Sequence, residues 1–259
     1  MTNLVRYGAS ADRFLDTPEF GVHPVIGKRL SLHWQAGVHG KPSLNAVAII
    51  DPDADDAAAL AAYTINDKMM EVLGTNMTTA LATWNAEGGI TLTTAGADED
   101  QAILAPHLDA NQSPWTKYTW GTDRETHWEG YFETGASIAD VTIWAGLKLT
   151  NDNVVATDAD QVFIRYADSG NWIVVSSIGG TDTETDSGVA VAASTKYHVG
   201  IKINADRTAE VFINGVFIYK TAALTDAVDF IPYIGVEAGT GAAKAITVFD
   251  EAISRLYGA

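Results

Sequence analysis

Apolar residues recur at every second position from Tyr197 to Ile203, where Tyr197, Val199, Ile201 and Ile203 alternate with His198, Gly200, Lys202 and Asn204. A period of two is that of a half-buried strand, whose side chains point alternately to opposite faces. Further on, Asn214-Gly215 separates Ala209–Ile213 from Val216–Tyr219. Asn-Gly between apolar runs marks a two-residue hairpin, because both central residues need φ > 0. Similar bursts, split by turn residues, run from about Thr78 onward: Thr79–Trp84, Gly89–Thr94, Glu125–Glu133, Val141–Leu149, Gln161–Ala167, Asn171–Ile178, Phe230–Val236 and Ala245–Ile253. Roughly ten to twelve short strands with regular turns predict an all-β sandwich. Pro232 lacks an N–H inside its run, which predicts an edge position or a bulge there.

The first 75 residues are less regular. Met1–Lys28 carries isolated aromatics, two prolines and no period, and reads as an extended N-terminal arm. Leu30–Ala36 and Ala46–Ile50 are short strand candidates. Asp53–Leu73 is Ala-rich, opens on Asp53, Asp55 and Asp56 and stops at Gly74, the pattern of a helix with acids at its positive end. The expected organisation is an arm at 1–28, an irregular segment at 29–75 with at most one short helix, and a β-sandwich at 76–259.

Composition removes several classes of function. Apolar residues make up 47% of the 259 and charged residues 19%, enough to build a packed core. Acids outnumber bases 33 to 16, a net charge of −17, which argues against nucleic acid and against anionic membrane surfaces as partners. With no cysteine, disulfides, thiolate metal sites and cysteine nucleophiles are excluded. No apolar run approaches the ~18 residues that cross a bilayer, and the start has no apolar stretch of secretory type. A soluble, acidic, globular protein is expected.

From Gly88 to Leu256 the chain resembles structural proteins of tailed bacteriophages that carry a concanavalin A-like (laminin-G-like) jelly roll. The resemblance lies in GGITLTTAGADEDQAILAPH, in WEGYFETGASIADVTIWAGL, in the hairpin series from DQVFIRYADSG to INGVFI, and in the closing IPYIGVEAGTGAAKAITVFDEAISRL. It implies a jelly-roll sandwich and a non-enzymatic virion protein of head decoration (cement) type. Such a protein is made in the host cytoplasm and sits on the capsid exterior. Its partners would be the major capsid protein and further copies of itself in a homo-oligomer. The arm either clasps a neighbour, at a cost in conformational entropy, or packs back on its own sandwich.

Catalytic patterns are weak. Glu129 and Glu133 lie four apart on one strand, roughly 13 Å at ~3.3 Å per residue. Glycosidase carboxylates stand about 5–9 Å apart, so the pair is too wide, and both read as solvated face positions. No Gly-x-Ser-x-Gly elbow or phosphate loop occurs, and His23, His33, His39, His107, His127 and His198 are scattered. No catalytic or cofactor-binding residue is assigned. Asp51, Asp53 and Asp55 alternate like calcium ligands, but Asp56 and Ala62 stand where an EF-hand needs Gly and Glu. Laminin-G-like sandwiches often hold Ca²⁺ in rim loops, and the resemblance makes Asp158 and Asp160, beside the acidic segments 151–160 and 181–186, the ligand candidates. Solvated acidic loops are the plainer reading. Trp115, Tyr118 and Trp120 crowd one segment near Trp128 and offer either a glycan-stacking platform or a subunit contact, the alternative being a cap on the core. A carbohydrate-binding module, or a glycan-binding virion protein of the same fold, is the second expectation.

Overall fold

The computed structural model describes residues 21–23, 29–35, 47–49, 70–78, 81–85, 88–106, 119–150, 158–168 and 170–256. They form strands and turns, with no α-helix among the described residues. In chain order the first strands are β1 (Gly21–His23), β2 (Arg29–Gln35), β3 (Val47–Ile49), β4 (Met70–Leu73), β5 (Ala82–Trp84) and β6 (Ile90–Thr93). Next come β7 (Gln101–Pro106), β8 (His127–Thr134), β9 (Val141–Lys148), β10 (Gln161–Ala167), β11 (Asn171–Ile178) and β12 (Thr181–Ala190). The last are β13 (Lys196–Ile203), β14 (Thr208–Ile213), β15 (Val216–Ala223), β16 (Ile231–Ala238) and β17 (Ala245–Leu256).

They pair into two sheets, which pack as the sandwich that the strand pattern predicted and the jelly roll that the resemblance implied. One sheet runs β1-β2-β17-β8-β13-β14-β15, with the β5–β6 hairpin joined to it through β17. The other runs β12-β11-β10-β9-β16-β7-β4-β3. All pairs are antiparallel except β3–β4. The core forms where the apolar positions of the two sheets meet. Trp128, Phe132, Tyr197, Val199, Ile201 and Val211 face Leu147, Ile164, Trp172, Val174, Ile234 and Val236 in one buried cluster. Trp172 sits at its centre, with its ring edge-on to Phe132 at 5.9 Å and to Tyr197 at 5.2 Å between centroids. Each such side chain contributes about 1.5–3 kcal/mol by leaving water, which stands in for the missing disulfides.

Local signals placed the hairpins well. Asn214 (φ 52°) and Gly215 (φ 77°) have the left-handed backbone that the turn requires. β10 and β11 have the expected bounds and pair from Gln161↔Ser177 to Arg165↔Ile173. Gly146 is needed for another reason: a Cβ there would stand 2.5 Å from the Phe163 Cα on the next strand.

Three local expectations are corrected. Thr181–Asp186 is no loop: it opens β12, which pairs β11 from Thr181↔Ile178 to Ala190↔Asn171. An edge strand meets a neighbour on one side only, so it tolerates the acids that made the segment look like a turn. Gln101–Pro106 is the second strand of the pair that the resemblance implied in GGITLTTAGADEDQAILAPH; it lies buried along its whole length, so it lacks the alternation that marks a one-sided strand. Met70–Leu73, the end of the expected helix, is β4, because backbone pairing with β3 and β7 outweighs local helix preference; residues 53–69 lie outside the described residues. Pro232 is in an inner strand rather than an edge, since β16 lies between β9 and β7. The ladder to β7 covers only Ile234–Glu237, so Pro232 faces a paired strand on the β9 side alone.

Within the expected arm, Gly21–His23 pairs with β2, and β2 pairs with β17 over Asp250–Leu256. Residues 1–20 and 24–28 lie outside the described residues. Both sheets therefore draw strands from before and after residue 75.

Candidate functional site

β8 lies between β13 and β17 in the middle of the nine-stranded sheet. Trp128, Phe132, Val199 and Ile201 take the inner face, and the alternation sends the residues between them outward. Pairing then sets three outer rows. His198, Tyr131 and Asp250 are in register, as are Gly200, Glu129 and Ala252, and then Lys202, His127 and Ser254. Glu129 is thus flanked by a glycine and an alanine, with polar side chains in the rows on either side.

The Glu129 Oε2 lies 3.0 Å from the His198 Nε2. Glu129 is only 8% exposed, and Asp250 and Ser254 are also buried, so the expected solvated carboxylate is a sheltered one. Glu133 lies beside Lys196 at 4.0 Å. The Lys196 ammonium stands 4.7 Å from the Phe249 ring centroid, and Phe249 packs against Tyr131 at 5.3 Å. Lys202 pairs with Glu210 at 3.3 Å on the next strand. The two carboxylates therefore have separate basic partners and do not face a common gap. This arrangement is able to bind a polar ligand through an acid–imidazole pair and a tyrosine, with aromatic surface beside it.

Directly behind this face lies a second carboxylate. Val248↔Phe132 is followed by Asp250↔Tyr131, so Phe249 is an extra residue and the alternation of β17 changes phase. Glu251 is consequently opposite Gly130 on the inner face, 1% exposed. Burial pushes its carboxyl well above the ordinary range, the Trp128 indole N–H opposes that shift, and nearby Asp250 adds to it. Nothing in the residue pattern announced this group. Ile246 and Val248 extrapolate inward to Asp250 and Ala252, and only the bulge turns Glu251 inside.

The other expected site residues are dispersed. Asp158 Oδ2 accepts from the backbone N–H groups of Leu149 (2.8 Å) and Thr150 (3.0 Å), and its Oδ1 accepts from the Thr150 hydroxyl at 2.9 Å. Lys148 stands 3.9 Å away. Asp160 Oδ1 accepts from the Gly179 N–H at 3.1 Å and from the Thr225 hydroxyl. Both acids therefore accept hydrogen bonds from neighbouring loops. No group of three or more His, Asp or Glu side chains suited to a metal occurs among the described residues. Trp120 is 2% exposed and belongs to the core, so its ring offers no stacking or subunit-contact face; it caps the sandwich instead. Trp115 and Tyr118 lie outside the described residues, as do residues 151–157, His39 and His107. His198, with Glu129, is the histidine brought to the candidate site.

The family model described as SO2946-like, C-terminal domain, matches residues 115–246, half of this chain. The chain belongs to the SO2946-like family. A solved member, the protein of unknown function SO2946 from Shewanella oneidensis MR-1, covers 93% of this chain with 91% of its own length, at TM-score 0.59 and 14% identity. Alginate lyase A1-II′, of polysaccharide lyase family 7, covers 70% of this chain and 86% of its own at TM-score 0.53 and 14% identity. A Bacillus licheniformis β-glucanase covers 71% and 85% at TM-score 0.50 and 8% identity. At such identities the likeness is one of fold, and it supports the jelly-roll sandwich. No curated protein matches the sequence.

Proposed function

We propose that this SO2946-like chain is a non-enzymatic structural protein of a tailed-bacteriophage virion, of head decoration (cement) type. It would sit on the capsid exterior, bind the major capsid protein and assemble with its own copies. The observation that carries the reading is a contrast on the surface. Among the described residues, a chain of net charge −17 exposes an apolar sheet edge, with Val216 61% and Phe217 53% exposed on β15. Large apolar side chains left in water on a charged molecule mark a contact surface for protein. The resemblance of the sequence from Gly88 to Leu256 to phage structural proteins motivates the same reading. The test is direct. Heads purified away from free protein contain this chain, as read by mass spectrometry of the particles; heads that lack it overturn the proposal.

A second reading is glycan binding, favoured by the outer face around Glu129, His198 and Tyr131, with Phe249 beside them. Two of the fold neighbours are, by name, an alginate lyase and a β-glucanase. Glycan-array binding that disappears in Tyr131→Ala and Glu129→Gln supports it. An array without hits disposes of it.

A further inference from the structure

Among the described residues the two sheets have five edge strands, and these differ. β1, β3 and β5 are three residues long. β12 and β15 are long, and they lie side by side at one flank of the sandwich. β12 exposes three acids, Asp182, Glu184 and Asp186, of which Glu184 is paired with Arg165. Acids along an edge oppose pairing with a like edge. β15 reads Val-Phe-Ile-Tyr-Lys-Thr-Ala-Ala, with no acid, and its far side pairs with no described strand. Its exposed side chains are Val216, Phe217, Lys220, Ala222 and Ala223.

We propose that β15 pairs antiparallel with β15 of a second copy of this chain, extending the nine-stranded sheet across a two-fold axis. The register follows from which side chains share a face. Phe217 is in register with Phe212, and Lys220 with Glu210, so both lie on the outer face of the sheet. Val211↔Tyr219 follows Phe212↔Phe217 with one extra residue on β15, so Ile218 is a bulge, and Phe217 and Lys220 share a face despite an odd spacing. An axis between Ile218 and Tyr219 keeps faces matched. It brings Phe217 of each copy opposite Lys220 of the other.

Two exposed features of one strand then satisfy each other. The Phe217 ring, packed edge-on against Phe212 at 5.8 Å, offers its free side to an ammonium, and Lys220 supplies one. Lys220 is otherwise held by Asp206 at 3.5 Å, a partner that is itself largely exposed. No like charges oppose each other within the strand pair, which distinguishes this edge from β12. Symmetric pairing of this kind is closed, so it ends at a dimer rather than a fibre.

This inference deepens the structural-protein reading by naming the surface through which copies meet, and it is tested on the isolated chain. Sedimentation equilibrium of the wild type gives a dimer. Phe217→Lys sets like charges opposite each other at both ends of the pair and weakens dimerisation at least tenfold. The double variant Phe217→Lys with Lys220→Glu restores an attractive pair and recovers the dimer. Circular dichroism and melting temperature report that each variant is folded, as expected for exposed positions. A monomeric wild type, or a dimer indifferent to Phe217→Lys, overturns the proposal. A monomeric wild type whose attachment to heads is lost in Phe217→Lys overturns it too, and shows that the edge takes another chain. A dimer that behaves as predicted but is absent from purified heads leaves this inference standing and overturns the virion reading.

Discussion

Glu129 and Glu251 occupy neighbouring strands of one sheet, a single row apart, and face opposite ways. Outside, Glu129 is sheltered but keeps a basic neighbour, the imidazole of His198 at 3.0 Å. Inside, Glu251 is 1% exposed beside Trp128, and burial favours its neutral form. The same side chain is thus accommodated by pairing on one face and by neutralisation on the other. The difference teaches where a charge change will be felt. A carboxylate near water exchanges one partner for another, whereas one in the core has no such exchange to make.

The most severe way to break this contrast is Glu251→Lys, which puts an unpaired cation between the sheets. Loss of about 3–5 kcal/mol is expected, enough to leave the chain largely unfolded in chemical denaturation. Second in size is the pH dependence of the wild type. The folded carboxyl of Glu251 titrates above its unfolded value, so its contribution is complete below the ordinary carboxylate range and is lost as pH rises from there. Stability should fall by about 1.4 kcal/mol for each pH unit over which only the unfolded chain ionises this group. Glu251→Gln flattens that slope, and urea midpoints between pH 4.5 and 8 measure it. A Gln variant with the wild-type slope would assign the effect to other groups.

The outer partner should matter less. His198→Ala or Glu129→Gln removes one partly exposed pair, and a loss of about 1 kcal/mol or less is expected from the same urea titration. A larger loss would make the outer face part of the core rather than a surface site. The smallest effect on stability belongs to the edge: Phe217→Lys should leave the melting temperature within about 1–2 °C of wild type while it weakens the dimer at least tenfold. Raising salt should tighten that dimer, because each copy carries a charge of −17 and screening weakens their repulsion.

The sandwich was largely legible because its evidence is local. In β13, Tyr197, Val199, Ile201 and Ile203 are buried while Lys196 is exposed and His198, Gly200 and Lys202 are partly so. β12 was missed because it is polar along an edge, and β7, buried throughout, was legible only through the resemblance, since neither shows a clean alternation. Little of the site was legible. Glu129 and His198 are 69 residues apart in sequence, and only the β8–β13 pairing brings them together. Trp120 stayed open between a surface contact and a cap on the core, because a tryptophan in a loop-like segment gives no sign of which side the loop closes on.

What the sequence by itself determined was most of the strands, most of the hairpins and a surface rich in acid. Those depend on side-chain period, turn dihedrals and charge, all of which act over a few residues. The tertiary structure decided which strands became edges, where β17 shifts phase at Phe249, and hence that Glu251 lies inside while Glu129 lies outside. The physical reason is that a strand's partner is chosen by backbone pairing across long stretches of chain. One extra residue in a ladder reverses every face beyond it, and the residue pattern before the bulge carries no trace of that reversal.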